Sequence, residues 1–153
     1  MKINNKKILL IGGSGFIGHN LALYLKKKEA IPTIVDSLSI NNLYSIKDEE
    51  VKNKNLYSSI LNNRIELIKK KKIEFLIHDA RVHENIFHIY KEIDPDIIIH
   101  LAAVSHANKS NKDPFSTFDH SFRTLENSLD NAKNKQFNVK RFIFLSSSMI
   151  YGN

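Results

Sequence analysis

Residues 7–18 read KILLIGGSGFIG. The run KILLIG (7–12) is short and almost wholly apolar, as a strand covered on both faces must be. It leads straight into glycines at 12, 13, 15 and 18, and helical periodicity then begins over 15–28, with Ile17, Leu21, Tyr24 and Leu25 on one face. Glycines 12, 15 and 18 fit G-x-x-G-x-x-G, and glycines 13, 15 and 18 fit G-x-G-x-x-G. The physics is the same in either register. One glycine permits the tight turn, one lets the backbone approach a pyrophosphate without a side chain between, and the last lets the helix pack close to the sheet. The helix N-terminus adds free N–H groups and positive potential. Glycines also make ordinary turns; the strand before and the helix after are what make dinucleotide binding the expectation here.

Outward from this unit the pattern repeats. PTIVD (32–36), IEFLIH (73–78), DIIIHLA (96–102) and VKRFIFLS (139–146) read as further strands, each nearly continuous in Ile, Leu, Val and Phe. Helical spacing covers 84–93, with Ile86, Ile89, Tyr90 and Ile93, and 114–135, where Asp113 suits the N-cap and Pro114 the first helical position. The long connection 37–72 carries a helix over 54–71, with Leu56, Ile60, Leu61, Ile65 and Ile68 in register, after a polar loop or short helical turn. Strand and helix alternating predicts an α/β fold: a Rossmann-like, doubly wound parallel sheet with five strands present and right-handed crossovers. Residues 1–153 read as one dinucleotide-binding domain without an internal boundary.

Strand two ends at Asp36, 18 residues past Gly18, close to the ~20 expected of the acidic residue that takes the adenosine ribose hydroxyls. A carboxylate there repels a 2′-phosphate, and no Arg follows in DSLSINN to attract one, so NAD is expected over NADP. The alternative is a plain turn residue or cap. Absence of Cys excludes disulfides and thiolate metal sites. His83 and His88 are five apart, which does not align two ligands on one helix face, so no metal is expected; His100 reads as a structural strand-end residue. Two lysine runs, 26–28 and 69–72, hold seven lysines, as many as the net excess of +7. Both fall at expected helix C-termini, where cations meet the negative end of the dipole. The rival reading is a nucleic-acid patch, but interleaved aromatics and Arg are missing, so no nucleic-acid partner is expected. Apolar runs fall far short of the ~20 residues that cross a bilayer. The apolar stretch in MKINNKKILLIGG is too short for a signal peptide. No membrane partner and a cytoplasmic location are therefore expected.

Several motifs in order then give a resemblance over nearly the whole chain. IGGSGFIGHNLALYL, IVDSLS, IHDARV, DPDIIIHLAAVSHANKSNKDP and RFIFLSSSMIYG resemble the NAD-dependent epimerase/dehydratase family of the extended short-chain dehydrogenase/reductases, which acts on nucleotide sugars. The resemblance implies NAD held by Gly12, Gly15, Phe16, Ile17 and Gly18 at the pyrophosphate. It implies Asp36 and Ser37 at the adenosine, and Asp79 and Ala80 beside the adenine. Leu101, Ala102, Ala103 and Ser105 would run along the nicotinamide side, with Ser146 near the cofactor. The catalytic Ser or Thr lies four residues before the Tyr of the final Tyr-Gly, which selects Ser147, its hydroxyl meeting the sugar hydroxyl that is oxidised. Three serines that merely end a strand are the bland alternative.

The family's general base is the Tyr of a Tyr-x-x-x-Lys pair, two side chains on one helix face, the ammonium lowering the phenol from its pKa of ~10. The resemblance places that pair some two dozen residues after Ser147, so Tyr151 is not expected to be the base. None of Tyr24, Tyr44, Tyr57 and Tyr90 has Lys four positions later. The expectation is an N-terminal portion, its sheet truncated after strand five and its substrate domain absent, which by itself binds NAD weakly and turns nothing over. A nucleotide-sugar substrate in the intact enzyme and a homodimer are the implied partners. The alternatives are a complete non-catalytic NAD-binding module, or a reductase of the same superfamily with a non-sugar substrate. The helix opening at Pro114 departs from the family, with Ser121, Thr124 and Leu125 where Asn and Gly-Thr are usual.

Overall fold

The computed structural model describes residues 2–48, 53–104 and 111–147. The strands are β1 (Lys7–Ile11), β2 (Ile31–Asp36), β3 (Glu74–Ile77), β4 (Ile97–His100) and β5 (Arg141–Phe144). Between them lie α1 (Phe16–Lys27), the short α2 (Ser45–Asp48), α3 (Lys54–Lys70) and α4 (His83–Ile93). A long helical segment before β5 is made of α5 (Pro114–Phe118), a π turn (Asp119–Arg123) and α6 (Thr124–Ala132). All strand pairs are parallel, in the order β3-β2-β1-β4-β5. This is the expected doubly wound α/β sheet.

Alternate residues of the central strands enter two separate cores. Ile8 and Leu10 of β1, Ile34 of β2 and Ile97 and Ile99 of β4 pack with Ala22 and Leu25 of α1 and Ile68 of α3. Leu9, Ile11, Val35 and Ile98 pack on the other face with Ile86, Ile89 and Tyr90 of α4. Helices on both faces leave no polar side for these strands, which is why they read as continuous apolar runs. The edge strands depart from that expectation. In β5 the residues Ile143 and Phe144 are exposed, and β3 is half-buried.

Two helices differ from their periodicity. In α1 the buried residues are Gly18, His19, Ala22 and Leu25, while Ile17 and Tyr24 are exposed. Gly18 sets this rotation, because its Cα face lies against the Gly13 backbone with no room for a Cβ, so the helix turns the side holding Gly18, Ala22 and Leu25 inward. The helix expected over 114–135 opens as anticipated, Asp113 accepting from Ser116 N at 2.9 Å, but it widens into a π turn and ends at Ala132. Buried Thr124 lies where α6 crosses the end of β4, its Oγ1 3.0 Å from the His120 carbonyl and 3.1 Å from that of Ser121. A hydroxyl competing for those carbonyls loosens the ladder locally.

α4 lacks a cap. Its N-cap is Val82, extended at φ −89° and ψ 110°, with no side-chain hydrogen bond to the first turn. Val82 is exposed, so little packing is lost on replacing it. Val82→Ser should stabilise the fold by about 1 kcal/mol, read in thermal denaturation as a rise of roughly 2–4 °C.

Candidate functional site

The strand order reverses between β1 and β4, and at such a switch point the loops leave the sheet in opposite directions and open a crevice. A cavity of about 440 Å³ lies there, beyond the C-terminal ends of the strands. Gly12, Gly15, Phe16, Ile17 and Gly18 line it after β1, Asp36 and Ser37 after β2, and Asp79 and Ala80 after β3. Leu101, Ala102 and Ala103 line it after β4. One cavity thus brings together twelve of the residues singled out in the sequence. Ser146 and Ser147 are exposed just past Leu145, which does line the cavity. Ser105 and Tyr151 lie outside the described residues.

The glycines differ in what requires them. Gly12 has φ +77°, and a Cβ there would stand 2.6 Å from Ala102 N. Gly18 is pressed on Gly13. Gly15 has φ −66°, and a Cβ on it would meet only Gly12 O at 3.6 Å, an ordinary contact. It is also the N-cap of α1, with no capping side chain and no acidic residue in the first turn. Neither conformation nor packing demands glycine at 15, while helix propensity would favour Ser, Thr or Asp as the cap. Among the described residues, no capping side chain or first-turn acid compensates the helix's first donors and positive end at the cavity wall.

Asp36 ties the turn to the next loop. Its carboxylate accepts Ser14 N at 3.1 Å and Leu38 N at 2.8 Å, and two amides leave lone pairs for a further donor. Burial pushes its carboxyl above the usual value, against the pull of Ser14 and Leu38. The loop is pinned in turn by buried Asn42, which donates to Ser14 Oγ at 2.6 Å. At the third strand end, Arg81 forks onto Asp79 at 2.7–3.1 Å and reaches Asp119 at 2.8 Å. Burial raises the Asp79 carboxyl, but Arg81 outweighs it and holds the group below its ordinary range. Asn127 donates to the carbonyls of Ala80 and Arg81 at 2.9 and 2.8 Å. Both carboxylates at the cavity are therefore held by hydrogen bonds from neighbouring residues.

Sequence reasoning missed several lining residues: Tyr57 and Arg64 on α3, Asn41 and Asn42, and His120 in the π turn, while Thr124, named only as a departure from the family, also lines the cavity. Tyr57 and Arg64 are seven apart, so a shared helix face was available as a signal. Nothing in the sequence marked the π turn. Among the described residues no group of three or more His, Cys, Asp or Glu could hold a metal ion, and no helix is long and apolar enough to cross a membrane.

The family model described as the NAD dependent epimerase/dehydratase family matches residues 8–153. A dTDP-D-glucose 4,6-dehydratase of Dictyostelium discoideum is 33% identical over 160 aligned residues, covering 99% of this chain and 32% of that protein. A UDP-glucose 4-epimerase of the same organism is 29% identical, covering 96% of this chain and 38% of the other. Among solved structures, a UDP-glucose-4-epimerase from Stenotrophomonas maltophila with bound NAD and formylated UDP-arabinopyranose superposes with a TM-score of 0.76 at 26% identity. That match covers 97% of this chain and 39% of the other. The chain thus spans about a third to two fifths of the length of these relatives.

Proposed function

The chain belongs to the NAD dependent epimerase/dehydratase family, whose cofactor is NAD, and from that premise we propose that it is the NAD-binding portion of an enzyme acting on a nucleotide sugar. The observation that carries this reading is Gly15, a glycine that neither backbone nor packing requires, at an uncapped helix N-terminus that lines the cavity. A glycine in that position keeps space clear for something outside the chain, and the free N–H groups and helix dipole select an anion. The pyrophosphate of NAD meets both conditions.

Along the cavity the roles follow the strand ends. Asp36 receives the adenosine ribose hydroxyls, with Ser37 beside it. Asp79 and Ala80, held by Arg81 and Asn127, border the adenine, and Leu101, Ala102 and Ala103 flank the nicotinamide side. NAD supplies a hydride acceptor that later returns the hydride. Ser147 hydrogen-bonds the hydroxyl on the sugar carbon that gives up the hydride, and the sugar-nucleotide enzymes among the relatives support that substrate class. Proton removal in the family is the task of a Tyr-x-x-x-Lys pair, which residues 1–153 do not hold.

Calorimetric titration of the full chain with NAD and NADP tests the assignment. The chain should prefer NAD. Asp36→Ala should weaken NAD by about tenfold, as loss of charged hydrogen bonds to ribose costs roughly 1.5 kcal/mol or more, and should narrow the preference over NADP. Equal affinities in both proteins would remove Asp36 from the site. Failure of the unaltered chain to bind NAD would overturn the reading itself.

A further inference from the structure

α3 is the crossover helix between β2 and β3, and it anchors itself through Leu61 and Ile68, both buried. Tyr57 and Arg64 flank those anchors on the same side of the helix, each one turn before its anchor, and both line the cavity. The Tyr57 hydroxyl donates to the Asn41 carbonyl at 3.3 Å, in the loop that follows Asp36. Two turns on, the Arg64 guanidinium carbon lies 5.7 Å from the ring centroid of Phe16, the first residue of α1. The helix is therefore laid along the cavity, with Tyr57 towards the ribose end and Arg64 at the N-terminus of α1.

Nothing within the described residues accounts for the Arg64 charge. No carboxylate pairs with it there, and positions 60, 61, 67 and 68, the neighbours three and four away on α3, are Ile, Leu, Leu and Ile. Glu66, the one acid of α3, is two residues away and points around the helix from it. Lys69 and Lys70 sit in the last turn, where a cation offsets the helix dipole; Arg64 sits in the middle, where that reason does not apply. Its contact is with the face of Phe16, a ring 70% exposed, and a cation over an exposed ring gains little.

We infer that Arg64 clamps the cofactor pyrophosphate from the side opposite the N-terminus of α1, its guanidinium over Phe16 meeting the phosphate oxygens that the helix amides hold from below. The inference rests on the NAD reading above and adds a residue to it. Three features point to this part of the ligand rather than another. The planar fork of Arg matches two phosphate oxygens at once. The uncapped first turn of α1, with no acid in it, already selects negative charge at the same wall. Asp36, at the other end, repels a 2′-phosphate, so the two charges are sorted along the cavity as the charges of NAD are.

The test is calorimetry of the full chain, Arg64→Ala and Arg64→Lys with adenosine, ADP-ribose and NAD. Arg64→Ala should weaken NAD and ADP-ribose by the same factor, about ten- to a hundredfold for a lost charge-assisted contact, and leave adenosine unchanged. Arg64→Lys should restore part of the loss, keeping the charge without the fork, and both losses should shrink as salt rises. Since the α3 anchors are untouched, thermal unfolding of both variants should match the unaltered chain. Unchanged NAD affinity in Arg64→Ala overturns the inference while leaving the NAD reading intact. So does an equal loss for adenosine, which would mean that Arg64 acts by packing on Phe16. Failure of the unaltered chain to bind either NAD or ADP-ribose overturns both.

Discussion

Gly15→Ala should abolish NAD binding at concentrations that saturate the unaltered chain and leave thermal unfolding where it was, whereas Gly12→Ala and Gly18→Ala should lower the melting temperature sharply. The three positions lie in one turn, so the contrast separates ligand from fold. At Gly12 the left-handed φ of +77° costs an L side chain roughly 1–2 kcal/mol. The added Cβ would also stand 2.6 Å from Ala102 N. That atom is backbone at the end of β4 and does not yield, so about 1–3 kcal/mol of overpacking follows. At Gly18 the obstacle is the backbone of Gly13, and moving it separates α1 from the sheet. Several kcal/mol is a large fraction of a stability of about 5–15 kcal/mol. At Gly15 none of this applies: the conformation is ordinary, and alanine's poorer capping, a few tenths of a kcal/mol, is offset by the reduced entropy of the unfolded chain. The methyl group occupies the seat of the pyrophosphate instead. Losing two charge-assisted contacts costs about 3 kcal/mol or more, roughly a hundredfold or more in affinity. Scanning calorimetry and NAD titration of the three variants read both quantities. Undiminished NAD binding by Gly15→Ala would take the pyrophosphate away from this turn.

Why those three glycines can be told apart in the structure and not in the sequence illustrates what the chain states openly. Spacing identifies the turn, and the apolar run before it with the helical run after it identifies the βα unit. It does not say which glycine is held by strain, which by a neighbour and which by a ligand, because that depends on Ala102, ninety residues away. Likewise the strands β1, β2 and β4 announce themselves, since burial on both faces enforces a run of apolar residues. The edge strands β3 and β5 look the same in sequence and are only partly covered. Asp36 was legible because its distance from the turn is set by one helix and one strand. Arg64 was not, since the approach of α3 to α1 is a tertiary fact. The π turn was invisible for a related reason. It depends on Thr124 meeting the end of β4, where its Oγ1 lies 3.4 Å from His100 Nε2.

Lowering the pH from 6.5 to 4 should destabilise the fold by about 3 kcal/mol through His100 alone. His100 ends β4 with no exposed surface. Its ring centroid lies 6.3 Å from that of Phe142, in a stacked arrangement, and 6.0 Å from that of Phe144. Among the described residues Nδ1 has no hydrogen-bond partner. Burial holds the imidazole down to about 4, with the Ala102 backbone opposing weakly. The folded chain therefore keeps His100 neutral while the unfolded chain takes up a proton near 6.5. Between those values the unfolded state binds more protons, so stability falls as pH falls, and the loss is complete below about 4. In a domain of this size that is roughly ten degrees of melting temperature. His120, lowered by burial and by the Arg81 cation, adds to the loss in the same window. Asp79 and Asp96 lie below the ordinary carboxylate value, burial being outweighed by Arg81 and by Lys140 and Lys6 respectively, so their contribution is lost only at lower pH. Asp36, raised by burial, works the other way and regains stability as it protonates. Melting temperatures from pH 7 to 4 should thus fall in the unaltered chain and fall much less in His100→Gln. That variant starts lower at neutral pH because it gives up the ring contacts with Phe142 and Phe144. A flat profile in the unaltered chain would mean that His100 meets solvent or a partner, and the tight end of β4 on which Gly12 depends would have to be redrawn.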